Sequence, residues 1–290
     1  MSRTLCDAKR LRDLVDNSRP ARLALALVAA ASVGLALTAT APAAAAEGQG
    51  GAAAPEGRPQ PRLTAAVVSF AEPREYQRRA VGVRAAAWMQ RLLEDAGRWQ
   101  MAPRDRVLAL ERRMNMAPPY PAGELQRIGA KLMVHLVVSG AVGAVRMDYR
   151  KHSVELQVRV ELTDVATGEL LAAANGKGWA VAKKSEPEPT DVIVERALGK
   201  ACRDACDRLL KPKQVVASVA GERGRNELVI AGGREVGLAK DRKCLVLRRS
   251  GQVFDTVAVV ILSDVSDERA VGVVISAAKK PRAGDILVAP

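Results

Sequence analysis

The stretch that decides the fold is "VELQVRVEL", Val154–Leu162. Val154, Leu156, Val158, Val160 and Leu162 take one parity, and Glu155, Gln157, Arg159 and Glu161 take the other. Successive side chains on a strand point to opposite faces, so this segment makes a sheet with one dry face and one wet face. A dry face needs a second layer, and the chain supplies one downstream. "DVATGELL" turns the strand, with Gly168 providing the turn backbone, and Leu170–Val181 returns as its partner. After the polar loop "KKSEPEPT", Asp191–Leu210 reads as a long amphipathic helix fit to lie across the dry face.

Upstream, the period alternates between strand and helix. "LTAAVVSF", Leu63–Phe70, reads as a buried strand. Glu75–Ala96 is helical, with Val81, Ala85, Trp88, Met89, Leu92 and Ala96 on one face, and Gly97 can end it. "RWQMA" is a short strand, Asp105–Met114 and Gly123–Leu132 are helices separated by the breaker "APPYP", and Met133–Val142 is the next strand. The expected class is α/β: a mixed sheet with packed helices, forming a sandwich over residues 63–211. Lys211–Gln214 is a hinge. From 215 to 290 only short apolar runs occur, among them "ELVIA", "KCLVLRR", "TVAVVILSDV", "RAVGVVIS" and "DILVAP". Five or six strands in so short a span predict a small closed β-barrel domain.

The N-terminus reads differently. Met1–Arg22 carries six basic residues against three Asp, and "LALALVAAASVGLALTATAPAAAA" follows, ending in small residues before Glu47. A basic start, an apolar run and an Ala-x-Ala end are the pattern of a secretory signal peptide, here residues 1–46. A membrane anchor is the competing reading, since the run is about long enough to span a bilayer. No cysteine follows the run to take a lipid. Residues 47–62, rich in Gly, Ala and Pro, read as a disordered tether. The chain after cleavage is expected to be exported, periplasmic or associated with the cell envelope, with no integral membrane span.

The formal net charge is +13, and removing residues 1–46 leaves 39 basic against 29 acidic side chains, or +10. The excess is shared by both halves, which suits a solvated Arg-rich surface or an acidic partner such as an anionic wall polymer. Nucleic acid is disfavoured by export and by a total of eight aromatic residues, since single-strand binders use stacking platforms. Of the tryptophans, Trp88 falls on the core face of its helix, leaving Trp99 and Trp179 as candidates for sugar contact. Cys202 and Cys206 share a helix face with Leu198, Ala205 and Leu209, and with Cys244 they read as buried free thiols, a disulfide being the alternative.

Catalytic chemistry finds little support. His135 sits in an apolar run and His152 in a polar turn, and neither has a partner at catalytic or metal spacing. There is no Gly-rich phosphate loop before a helix, no Gly-x-Ser-x-Gly and no paired-carboxylate motif. No catalytic residue, metal ligand or cofactor site is expected. His135 reads as a satisfied core or strand-end residue.

Three motifs in order carry a family resemblance. "WQMAPRDRVLALERRMN", "LQRIGAKLMVHLVVSGAV" and "VELQVRVELTDVATGELLAA" resemble the CsgG and TolB N-terminal-like family. "ELVIAGGREVGLAKDRKCLVLRR" and the closing "RAGDILV" look like the small C-terminal barrel of FlgT-type proteins, with Lys240-Asp241 where that pattern often has Gly-Asp. The resemblance implies a non-catalytic envelope protein that serves assembly, or acts as an accessory, through protein contacts with an envelope partner or with itself. It departs from curli-secretion CsgG, since there is no lipid-attachment cysteine and no pair of extra ~10-residue alternating strands for a membrane barrel. The competing functions are a binding module for an anionic or saccharide envelope component, and a hydrolase built on an unrecognised site. The candidate interaction face is Glu155, Gln157, Arg159 and Glu161. Protein recovered from intact cells should begin at Glu47 or within a few residues of it on N-terminal sequencing; an intact Met1 would turn the apolar run into an anchor.

Overall fold

The computed structural model describes residues 61–290 except 75, 77–79, 149 and 183–188. The expected signal peptide and nearly all of the expected tether lie outside the described residues. The described part falls within one compact unit. It holds a five-stranded mixed sheet with four helices, followed by a closed six-stranded barrel, so an α/β layer structure plus a small all-β barrel is the architecture.

The sheet runs β2-β1-β3-β4-β5, where β1 is Thr64–Val67, β2 Gln100–Met101, β3 Leu136–Asp148, β4 Ser153–Asp164 and β5 Leu170–Val181. β1 pairs in parallel with both β2 and β3, while β3, β4 and β5 form an antiparallel meander. Helices α1 (Val81–Ala96) and α4 (Thr190–Leu210) pack on one face, and α2 (Arg104–Arg113) and α3 (Ala122–Leu132) on the other. Parity shows the split. Ala65, Val67, Leu136 and Val138 join the α1/α4 core, whereas Ala66, Val68 and Val137 pack with Val107, Leu110, Leu125 and Ile128. Strands covered on both faces become continuously apolar, as "TAAVV" and "LVV" are.

The α4–β5 contact is unusually close. The inward positions of β5 include Ala174, Gly176, Gly178 and Ala180, and those of α4 include Ala197, Ala201 and Ala205. A Cβ on Gly178 would collide with the Ala197 carbonyl oxygen, and one on Gly176 with that of Ala201. Glycine within a strand weakens it locally, and here it lets the helix backbone approach the strand backbone.

Several boundaries differ from expectation. β3 begins at Leu136 rather than Met133, because Met133 takes a left-handed conformation (φ 57°) and closes α3. The strand then runs on to Asp148, so Met147 and Asp148 belong to it and not to the turn. α1 begins at Val81. β1 is shorter than the apolar run that contains it.

The barrel closes in the order β10-β7-β6-β11-β8-β9, with β6 Val215–Arg223, β7 Glu227–Ala231, β8 Lys243–Ser250, β9 Val253–Val265, β10 Arg269–Ala277 and β11 Ile286–Ala289. Closure leaves no open edge. On the barrel, the half-buried Arg248 grips the buried Asp285 with Nε to Oδ1 at 2.9 Å and Nη2 to Oδ2 at 2.8 Å, which fixes the loop "RAGD" before β11. The barrel has its own cluster around Ile230, Val246, Val260 and Leu287, while Leu245, Leu247, Val259 and Val288 are continuous with the α/β core. Substituting Gly178→Val should lower the free energy of unfolding by about 3 kcal/mol in urea titrations, because neither backbone can yield.

Candidate interaction face

Helices α2 and α3 cover the second face only at β1 and the start of β3. Beyond that point no described element covers the face of β3, β4 and β5. All four expected residues lie here. Glu155, Gln157 and Arg159 are exposed and Glu161 is half-buried, in alternation with a fully packed inner row. Arg159 pairs with Glu161 at 2.6 Å along the strand. The register adds their neighbours: Arg146 and Trp179 flank Glu155, Lys177 lies opposite Gln157, Ala141 and Asn175 flank Arg159, and Ser139 and Ala173 flank Glu161.

Trp179 is the addition that the sequence reading did not place. It is 57 % exposed, a large aromatic standing in a charged surface. The signal was present, since Lys177 and Trp179 share the parity opposite to the packed Gly176 and Gly178. Trp and Arg are among the residue types that carry most of the binding energy at protein interfaces.

The long edge of this sheet is β5, and α4 occupies part of it; the other edge, β2, is two residues long. Asp204 Oδ2 accepts from the Lys177 amide at 3.0 Å, Lys200 Nζ donates to the Trp179 carbonyl at 3.1 Å, and Arg196 Nη2 donates to the Val181 carbonyl at 2.8 Å. These groups would otherwise be offered to an added strand. Contact is thereby directed to the face rather than to this stretch of edge. Hydrogen bonding to Arg208 and to the Lys177 amide also holds the Asp204 carboxyl below its ordinary range.

The histidines are placed as follows. His152 sits exposed in the turn after β3, at φ 43°. His135 stands just before β3, half-buried, and is not inside the strand as its apolar neighbours suggested. Its Nδ1 is 3.2 Å from the Thr64 amide and 2.8 Å from the Thr64 hydroxyl. An amide can only donate, so Nε2 carries the ring proton and donates to the Phe254 carbonyl of β9 at 2.6 Å. Both nitrogens are spent, and the ring joins the α/β layers to the barrel. Lys243 makes a second tie, donating to the Leu170 carbonyl at 2.7 Å.

Other chemically able groups are buried and bonded. Glu111 accepts from the Ser69 amide and hydroxyl, both at 2.7 Å, and Arg104 donates to the Val67 carbonyl at 2.5 Å and to Ser69 Oγ at 3.2 Å. This knot seals the end of β1 and accounts for Arg104 in the "RDR" motif. Cys202, Cys206 and Cys244 are free and buried, and burial pushes their thiols up to about 12, 11 and 12. Such thiols are poor nucleophiles. Among the described residues no group of three or more His, Cys, Asp or Glu could hold a metal ion, and no helix is long and apolar enough to cross a membrane. Trp88 packs against the α1/α4 core, as its helix face suggested, but it is only half-buried, at the α1–α4 seam beside Gly199. Trp99 is buried.

No family model matches the chain, and no curated protein matches it. Among solved structures, a PelC dodecamer from Paraburkholderia phytofirmans is 18% identical over 50% of this chain and 89% of its own, with a TM-score of 0.34. Lipoprotein GNA1162 from Neisseria meningitidis is 13% identical over 46% of this chain and 92% of its own, with a TM-score of 0.35. The C-terminal domain of LpoB from Escherichia coli is 13% identical over 40% of this chain and 81% of its own, with a TM-score of 0.27. At these scores the overlap is loose and bears on neither activity nor partner.

Asp164, fully buried at the end of β4, accepts from the Thr167 amide at 2.8 Å and the Thr167 hydroxyl at 2.7 Å. Burial raises its carboxyl above the ordinary value of 3.8 in spite of these bonds. A raised carboxyl favours the folded state below the unfolded value, and that contribution is lost as pH rises through the folded one. Asp164→Asn keeps the acceptor for Thr167 and removes the charge. Its stability relative to the wild type should therefore rise as pH increases above about 4, as read from paired thermal melts; a difference independent of pH would contradict the assignment.

Proposed function

We propose that this chain is an exported, non-catalytic protein of the cell envelope, and that it works in assembly, or as an accessory, through protein contacts made on the bare face of β3, β4 and β5. The single observation that carries the reading is Trp179, 57 % exposed between Glu155 and the sheet margin. A single exposed apolar side chain is ordinary, but an indole set among arginine side chains is the kind of amphipathic anchor that protein contacts use. Around it the surface is mixed in sign, with Arg146, Arg159 and Lys177 against Glu155 and Glu161. That pattern suits a polar-rimmed contact of moderate size, sensitive to salt.

Two further features support it. His135, the histidine nearest to a catalytic role, has both ring nitrogens committed to structural hydrogen bonds. The leader-like N-terminus and the resemblance to CsgG, TolB N-terminal-like and FlgT-like proteins favour an envelope location. The partner is an envelope protein or a second copy of this chain.

Crosslinking in intact cells tests the reading. The wild type should give a discrete larger species that Trp179→Ala abolishes and Arg159→Glu weakens, with melting curves unchanged because both side chains point to solvent. A chain that stays monomeric and captures no partner, or a crosslink indifferent to Trp179, would refute it.

A further inference from the structure

The seam between α1 and α4 carries a second surface of different chemistry. Trp88, Glu195, Arg196, Gly199, Lys200 and Arg203 line a groove of about 340 Å³. Its floor is built. Trp88 Nε1 donates to one oxygen of Glu195 and Arg84 pairs with the other, so the indole is held at a fixed angle. A methyl group on Gly199 would press on the Trp88 ring at 3.3 Å, and the glycine leaves that space open. The guanidinium of Arg91 lies 5.5 Å from the ring centroid.

The charges are one-sided. Glu195 is the one acid among the described lining residues, and Arg84 and Trp88 use both its oxygens. Lys200 uses one of its three donors on the Trp179 carbonyl, and Arg203 is exposed with no acidic partner among the described residues. The cations lie in a row. On an α-helix, Arg196 to Lys200 rises about 6 Å and Lys200 to Arg203 about 4.5 Å. A single phosphate is gripped by donors that converge on a point. A row with a flat apolar floor fits a repeating anion whose rings present C–H faces.

We propose that the α1–α4 seam binds an acidic polysaccharide, a polymer of sugar rings bearing carboxylates, with a ring over the Trp88 edge and carboxylates along Lys200 and Arg203. This gives a location to the affinity for a wall polymer that the net charge suggested. The Trp179 side chain lies on the opposite face of the sheet from the groove, and the two surfaces meet only where Lys200 bonds the Trp179 carbonyl, so either can fail alone.

Polygalacturonate is a suitable probe, titrated calorimetrically against the purified protein at low salt. Binding should be measurable, weaken as salt is raised, and be absent for uncharged dextran. The double variant Lys200→Glu/Arg203→Glu should lose at least tenfold in affinity. Lys279→Glu/Lys280→Glu, an equal change of charge on the barrel, should keep it. If the first pair lowers the melting temperature, Lys200→Met/Arg203→Met replaces it. Trp179→Ala should bind the polymer normally while losing its crosslink, which separates this site from the protein-contact face. No binding, equal loss in the two charge-reversed pairs, or tighter binding to a thymidine oligonucleotide or to phosphatidylglycerol vesicles would each overturn the proposal.

Discussion

The structure depends on one approach, that of the α4 backbone to the β5 backbone. Ala197 and Ala201 lie against Gly178 and Gly176 with no room for a side chain between them. Because the helix sits so low, its flanking residues reach the margin of the sheet, and Arg196, Lys200 and Asp204 hydrogen-bond the outer groups of β5. The same depth brings Gly199 under Trp88 and opens the seam. A larger residue at Gly176 or Gly178 would lift the helix and disturb all three features together.

Much of the fold was legible because period and parity report directly on burial. The alternation of Val154–Leu162 fixed which face of β4 is wet, and the four residues named from it stand on that face. The run from Val215 onward announced a barrel by its short apolar segments. Element ends were less legible. Met133 does not look like a helix terminator, yet it takes the left-handed conformation usually left to glycine. His135 looked enclosed because its sequence neighbours are apolar, but those neighbours point away from it, into β3 and toward two different cores.

The site was legible in part. Glu155, Gln157, Arg159 and Glu161 followed from one strand, but Trp179 needed the register of β5 against β4, which no single segment contains. Its parity could have been read from the glycines beside it, had Gly176 and Gly178 been taken as the positions of the strand that face the helix. Trp88 was placed only in part for a related reason, since it does pack on the core. Helical period assigns it to the stripe facing the core, and only the presence of α4 beside α1 shows that this stripe's margin is a seam. Contacts between elements distant in sequence leave no mark in local period.

The stitched margin of β5 also limits how copies of this chain can join. A bare strand of 12 residues in a crowded compartment is a template, and each added strand exposes a fresh one, so growth by that route has no natural end. Asp204, Lys200 and Arg196 interrupt the template at Lys177, Trp179 and Val181. The barrel, being closed, adds no edge, and the opposite edge of the sheet, β2, is only two residues long. A face that meets its own copy across a two-fold axis is covered once and closes the pair, whereas a head-to-tail contact of two different faces closes only if its rotation completes a ring. Growth without end would therefore need two complementary faces on this chain, not the margin of β5.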